Sequence, residues 1–119
     1  MNVVVLQGVL SSAPVARTLA SGSVVVSLEL STVVEGATAS VPVSWFDPPA
    51  EVVWGPGAEL VVAGTVRRRC FRSGGATQSR TEVVATEVVE AARRRPVHRI
   101  LQRAVARLGE LDSGAVRSA

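Results

Sequence analysis

The sequence is poor in the residue types from which most catalytic and metal sites are built. Its 119 residues include one cysteine and one histidine, with no lysine and no tyrosine. A single cysteine excludes an internal disulfide and a cysteine-based zinc site, and His98 has no second imidazole with which to share a metal. The acidic residues are scattered rather than paired. We therefore expect no catalytic site, no metal, no cofactor and no small-molecule substrate.

The sequence also lacks a long apolar run and an N-terminal export signal. No apolar run approaches the roughly 20 residues of a membrane-spanning helix, and no basic segment precedes a cleavable apolar stretch. We therefore expect a cytoplasmic protein with no membrane partner, of a size that suits one domain. All 13 basic residues are arginine, the net charge is +3 and the isoelectric point is near 10.9. Clustered arginines suit a polyanionic partner; the alternative explanation for the exclusive use of arginine is a high-GC genome.

Alternating apolar and polar side chains dominate the first 90 residues. This period of two predicts strands over residues 2–10, 23–34, 38–46, 57–71 and 79–90. A short helix is predicted over residues 50–54, between the third and fourth strands, because proline and glycine pairs enclose it. This order is typical of an OB-type barrel. We predict an all-β, five-stranded OB-fold barrel, with a further short extended piece at 15–19.

The C-terminal quarter changes to helical spacing. Pro96 suits the first turn of a helix, and Arg99, Arg103 and Arg107 share one face. We expect the opposite, apolar stripe to pack on the barrel or on a neighbouring subunit; an anion-binding helix is the alternative. The predicted organisation is an OB-fold domain at 1–91, a basic joint and amphipathic helix at 92–111, and a disordered tail at 112–119.

The fourth predicted strand ends in a basic cluster. Alternation places Arg67, Arg69 and Phe71 on one face, and Arg68 and Cys70 on the other. Two guanidinium groups and a ring on one face suit a phosphate backbone with a base stacked beside it. The alternative is a solvated strand end whose arginines only keep the protein soluble. Since no base lies near Cys70 in the sequence, we expect this residue in the core rather than as a nucleophile.

Several segments resemble, in collinear order, the bacterial single-stranded DNA-binding protein family. The opening NVVVLQGVLSSAPVARTLASG is similar to that family's first strand and hairpin, and RTEVVATEVV is similar to its last strand. Between them, GAELVVAGTVRRRCF resembles the pattern G-x-x-V-x-V-x-G-x-L-R-x-R-x-aromatic. The resemblance covers roughly residues 2–90. It implies an OB-fold that binds single-stranded DNA without sequence preference in replication, repair or recombination, and that forms a homodimer or homotetramer on the nucleoid.

The resemblance also assigns candidate DNA-binding residues. It places Arg67, Arg69 and Phe71 on the DNA-facing strand, Phe46 at the stacking aromatic, and Arg17 on the basic hairpin. The family's further tryptophans and its acidic-tipped flexible tail have no counterpart here, so the resemblance implies a weak or specialised binder. The alternative is an OB-fold interaction or oligomerisation module, similar to primosomal accessory proteins, with little or no DNA binding.

Overall fold

The computed structural model describes the backbone of residues 1–118 and the side chains of residues 1–109. Strands occupy most of the chain up to residue 90, and a helix follows. The β-branched residues that fill these segments favour extended backbone. The elements are β1 (Val4–Leu10), β2 (Val15–Thr18), β3 (Val24–Val34), β4 (Ala37–Phe46), β5 (Glu59–Ser73), β6 (Ala76–Glu90) and α1 (Arg94–Ser118).

Five of the strands close into a barrel. The sheet order is β1-β5-β6-β4-β3-β2, and β1 also pairs with β3. This last pairing joins the two ends that an open sheet would leave, while β2 pairs with β3 outside the closed ring. The β4–β6 pair is parallel and the other pairs are antiparallel. The protein is therefore mostly β, with a closed, OB-like barrel of five strands, as the alternation predicted.

One face of each barrel strand fills the interior. On β3 the core residues Val26, Leu28 and Leu30 fall on every second position, as the period of two requires, and Val25 is buried on the other face. Trp45 is 7% exposed, and its ring stacks on Trp54 with centroids 6.2 Å apart. The core consists of Leu10, Val26, Leu28, Leu30, Val43, Trp45, Leu60, Val62, Val83, Ala85 and Val88.

Gly64 marks the point where β5 bends around the barrel. The β5–β6 register shifts between Ala63 and Gly64, because Ala63 faces Glu87 while Gly64 faces Ala85. A Cβ atom added at Gly64 would lie 2.0 Å from the carbonyl oxygen of Val84. Only glycine permits this close backbone approach, and the β-bulge, in which Thr86 of β6 is the extra residue, lets the strand pair curve.

The predicted helix over residues 50–54 is absent, which corrects the sequence-based prediction. The chain between β4 and β5 has no regular secondary structure. Five residues between prolines and glycines are too few to recover the cost of helix nucleation. The segment is instead held by its side chains: Val52 and Trp54 pack on the core, and the indole N–H of Trp54 donates to Glu90 Oε1 at 3.1 Å.

The C-terminal helix packs on the barrel through only part of its apolar stripe. Ile100 is 1% exposed, whereas Leu101 and Val105 are 46% and 66% exposed. Arg103 was predicted to face away from the stripe but forms an ion pair with Glu87 on β6. The backbone of α1 is helical to Ser118, including positions assigned to the tail, whose side chains lie outside the described residues. No helix in the described part of the chain is long and apolar enough to cross a membrane.

Candidate nucleic-acid interface

The far end of the β5–β6 hairpin projects beyond the barrel, and we call residues 67–81 the β5–β6 arm. Gly74 and Gly75 form its turn with φ values of 60° and 80°, which glycine adopts without strain. Ser73 faces Ala76 across this turn, and the register continues through Arg69 opposite Arg80. The arm side chains are exposed except for Phe71, which is partly buried.

The arm presents two faces to its surroundings, and this overturns the expectation that Cys70 lies in the core. Phe71 and Arg69 turn back toward the barrel, while Cys70 is exposed on the opposite face. Alternation correctly separated the two sets of residues. The face of β5 that carries Cys70 is exposed because this part of the strand projects beyond the barrel. Nothing in the described chain packs over that face.

Three of the five predicted binding residues line one cavity of about 200 Å³ between the arm and the outer face of the barrel. We call it the arginine cavity. Arg69 and Phe71 enter it from the arm, and Arg17 enters it from β2. The guanidinium carbon of Arg69 lies 5.8 Å from the centroid of the Phe71 ring, within cation–π range. A basic group and a partly exposed ring therefore stand side by side at the cavity wall.

The other two predicted residues, Arg67 and Phe46, contact each other beside the arginine cavity. The guanidinium carbon of Arg67 lies 5.3 Å from the Phe46 ring centroid. Phe46 is 37% exposed, and its strand neighbour Val25 pairs in turn with Arg17. Directly paired residues share a face of the sheet, so Arg17, Val25 and Phe46 form one cross-strand row, in which Val25 is buried.

Glu82 is a buried carboxylate at the base of the arm. Its side chain is 5% exposed, its Oε1 accepts from Arg67 Nε at 2.9 Å, and its Oε2 accepts from the Ser44 hydroxyl at 2.6 Å. Burial raises the pKa of Glu82, but the Ser44 and Arg67 hydrogen bonds and the charges of Arg67 and Arg69 outweigh it. The net pKa is lower than the ordinary value, so Glu82 is ionised at neutral pH.

A second ion pair lies on the opposite side of the arginine cavity. Arg80 on the arm pairs with Glu29 on β3, whose Oε2 also accepts from the Ser40 hydroxyl at 3.0 Å. The two carboxylates thus neutralise Arg67 and Arg80. Arg17 and Arg69 form no ion pair within the described part of the chain. These two guanidinium groups therefore carry the free positive charge of the cavity.

Sequence reasoning missed Glu82, Ser44, Glu29 and Arg80. A signal for two of them was present in the hairpin. With a two-residue turn at Gly74-Gly75, counting outward pairs Arg67 with Glu82 and Arg69 with Arg80. The predicted strands end at residue 71 and resume at residue 79, which leaves residues 72–78 as an unpaired connection and conceals this register. Ser44 and Glu29 lie on other strands, so only the closed barrel brings them to the arm.

Among the described residues, no group of three histidine, cysteine, aspartate or glutamate side chains is placed to hold a metal ion. Comparisons with models of protein families and with curated protein sequences find no match to this chain. The likeness to single-stranded DNA-binding proteins therefore rests on the collinear sequence segments and on the OB-like barrel alone.

Proposed function

We propose that this protein binds single-stranded DNA without sequence preference, as a divergent OB-fold member of the single-stranded DNA-binding protein family. Arg17 and Arg69 bind phosphates, and Phe71 and Phe46 stack on bases. The protein acts in the cytoplasm, on the nucleoid, during DNA replication, repair or recombination. Sequence-independent binding of this kind needs a basic path with rings beside it, because every base has an aromatic face and every nucleotide a phosphate.

The observation that carries the proposal is the arginine cavity. Residues distant in sequence meet there: Arg17 from β2 and the Arg69–Phe71 pair from the arm. The Arg17–Val25–Phe46 row spans three strands and exposes Arg17 and Phe46 on either side of the buried Val25. A solubilising role for the arginines does not require a ring beside each guanidinium group, whereas a stacked base with an adjacent phosphate uses both groups.

The same geometry predicts modest affinity with a shallow salt dependence. Each phosphate contact adds roughly −0.7 to the slope of log K against log salt for single strands, so two free arginines give about −1.4. Arg67 and Arg80 add less, because Glu82 and Glu29 already neutralise them. With two rings available for stacking, we expect dissociation constants in the range of roughly 10⁻⁴ to 10⁻⁶ M at physiological salt.

Fluorescence titration with oligo(dT) at several salt concentrations tests the proposal. Phe71→Ala should weaken binding by about 1–3 kcal/mol, the usual contribution of one stacked base. Arg69→Ala should weaken binding and reduce the salt slope by about 0.7. Arg68→Ala is the matched control, because Arg68 is the next residue, has the same charge and lies on the other face of the arm.

Two outcomes would contradict the proposal at different levels. No binding to oligo(dT) even at low salt rules out the function itself. Binding that Arg68→Ala and Arg69→Ala weaken equally rules out the arginine cavity as the site and points to a diffuse basic surface.

The second candidate function is an OB-fold module that oligomerises or docks a protein partner. What favours it is the apolar surface that α1 leaves exposed, since Leu101, Val105 and Leu108 are 46%, 66% and 44% exposed. Exposed apolar residues grouped on one surface are typical of a contact with another protein. If the protein is such a module, the Arg69→Ala and Phe71→Ala substitutions should leave its self-association or partner binding unchanged.

A further inference from the structure

The exposed side of α1 carries a regular stripe. Arg94, His98, Leu101, Val105 and Leu108 follow one another at spacings of four, three, four and three residues, which places them in one row along a helix. All five side chains are exposed. We call this row the α1 stripe. It begins with a basic residue and ends with three apolar ones.

The barrel of the same chain does not cover this stripe. α1 packs on β1, β5 and β6, and its contacts are made by a different side of the helix. Ile100, Ala104 and Arg103 line the space between α1 and those strands. An exposed row of Leu101, Val105 and Leu108 matches the pattern by which an amphipathic helix enters an apolar groove.

A second surface, on other strands, has the complementary composition. A cavity of about 440 Å³ lies between β2, β3 and the segment that follows β4. Its wall is apolar, with Pro14, Ala16, Val24 and Val52 among its residues, and its charged side chains are Asp47 and Glu51. None of the described residues that line it is basic. We call it the acidic cavity, and its volume falls in the range of a site for apolar side chains.

Asp47 is held in place at the mouth of the acidic cavity. Its backbone N–H donates to Val24 O at 2.7 Å, and its Oδ1 accepts from Val24 N at 2.9 Å. These bonds fix a left-handed backbone with φ of 47°, which is unfavourable for a residue other than glycine. In the described part of the chain, neither Asp47 nor Glu51 forms an ion pair. Two unpaired carboxylates therefore stand beside an apolar depression.

We propose that the protein self-associates head to tail, with the α1 stripe of one copy in the acidic cavity of the next. Leu101, Val105 and Leu108 contact the apolar wall, and Arg94 pairs with Asp47 or Glu51. The first turn of α1 contains no acidic residue, so its N-terminal dipole and its arginines are uncompensated within the helix. The carboxylates of a neighbouring copy supply the missing negative charge.

The charges favour this contact over a parallel pairing of two helices. Two parallel α1 helices would bring the basic side chains of Arg94, Arg95 and Arg99 close to those of the other copy. The acidic cavity offers the opposite charge. Because the α1 stripe lies on the helix and the acidic cavity lies on β2, β3 and the segment after β4, each copy can insert its helix into one neighbour and bind the helix of another. Such a heterologous contact builds a ring or an open chain, and it does not depend on nucleic-acid binding.

Sedimentation velocity without DNA tests this inference over a range of protein concentrations. We expect the wild-type mass to rise above the 12.4 kDa monomer as concentration increases. A helix variant, Leu101→Glu/Val105→Glu, and a cavity variant, Ala16→Arg/Glu51→Arg, should each weaken association at least about tenfold. The control is Val33→Glu/Val34→Glu, which changes two exposed apolar residues of β3 that lie on neither surface and should leave the mass unchanged.

An equimolar mixture of the helix and cavity variants gives the decisive result. Each variant retains the surface that the other lacks, so the mixture should form a 1:1 dimer although neither variant associates alone. The inference is overturned by a wild type that stays monomeric, by a mixture that does not dimerise, or by a cavity variant that associates like wild type. If circular dichroism shows that a variant is unfolded, Leu101→Ala/Val105→Ala or Glu51→Arg alone replaces it.

Discussion

At the scale of single residues, Glu82 determines how much positive charge the candidate DNA-binding surface offers. It is 5% exposed, and it binds Arg67 and the Ser44 hydroxyl. A buried carboxylate needs such partners, because burial without them strongly disfavours the charged form. Because this ion pair neutralises Arg67, its guanidinium group is less available to a phosphate. The free charge of the arginine cavity therefore belongs to Arg69 and Arg17.

The lowered pKa of Glu82 makes the stability of the fold depend on pH. Since the folded chain holds this proton less tightly than the unfolded chain, protonation favours unfolding. The contribution is fully present above the ordinary pKa of 4.5 and is lost as pH falls through the lower pKa of the folded state. Glu82→Gln removes this dependence, so its stability should fall less steeply than that of wild type in this acidic range.

Urea unfolding between neutral pH and pH 3 measures this difference. Comparing the two proteins at each pH isolates Glu82, because every other carboxylate is common to both. Parallel curves for wild type and Glu82→Gln would show that the Ser44 and Arg67 contacts do not lower the pKa of Glu82.

At the scale of elements, the β5–β6 hairpin has two parts with different structural roles. Near Leu60 and Val62 the hairpin is part of the barrel core, and beyond Arg67 it projects from the barrel. The bulge at Gly64 lies between these two parts. The core part holds the strands in register, so the arm presents Arg69 and Phe71 at a defined position over the barrel face.

Cys70 reports on this arrangement directly. Because its thiol is exposed, it should react with an aromatic disulfide reagent in the native protein about as fast as in urea, with one thiol per chain. A label attached there lies on the face away from Phe71, so oligo(dT) binding should persist. A thiol that reacts only after unfolding would contradict the projecting arm. Cys70→Ser provides the blank.

At the scale of the whole molecule, α1 is joined to the barrel through few contacts. Ile100 supplies its buried anchor, and Arg103 adds an ion pair to Glu87. Exposed ion pairs contribute little to stability, so docking depends mainly on the apolar contact. The same helix leaves Leu101, Val105 and Leu108 exposed, and this exposed side is the one that we propose contacts another copy.

Substituting adjacent residues of α1 distinguishes these surfaces. Ile100→Ala removes a side chain that is 1% exposed and should cost about 2–5 kcal/mol of stability or release the helix from the barrel. Leu101→Ala, at a position that is 46% exposed, should cost less than about 1 kcal/mol. Urea unfolding at low protein concentration, followed by far-ultraviolet circular dichroism, compares them without self-association. Equal losses would show that α1 docks by a different side.

The sequence alone determined the five-stranded barrel, because a period of two decides which side chains of a strand face inward. It also determined the two faces of β5. The hairpin register could have paired Arg67 with Glu82, but only the tertiary structure decided that Arg80 is also neutralised, since Glu29 reaches it from β3. The tertiary structure also decided that Cys70 is exposed and residues 50–54 are not helical. Alternation specifies the direction of a side chain, but what lies in that direction depends on contacts between distant parts of the chain.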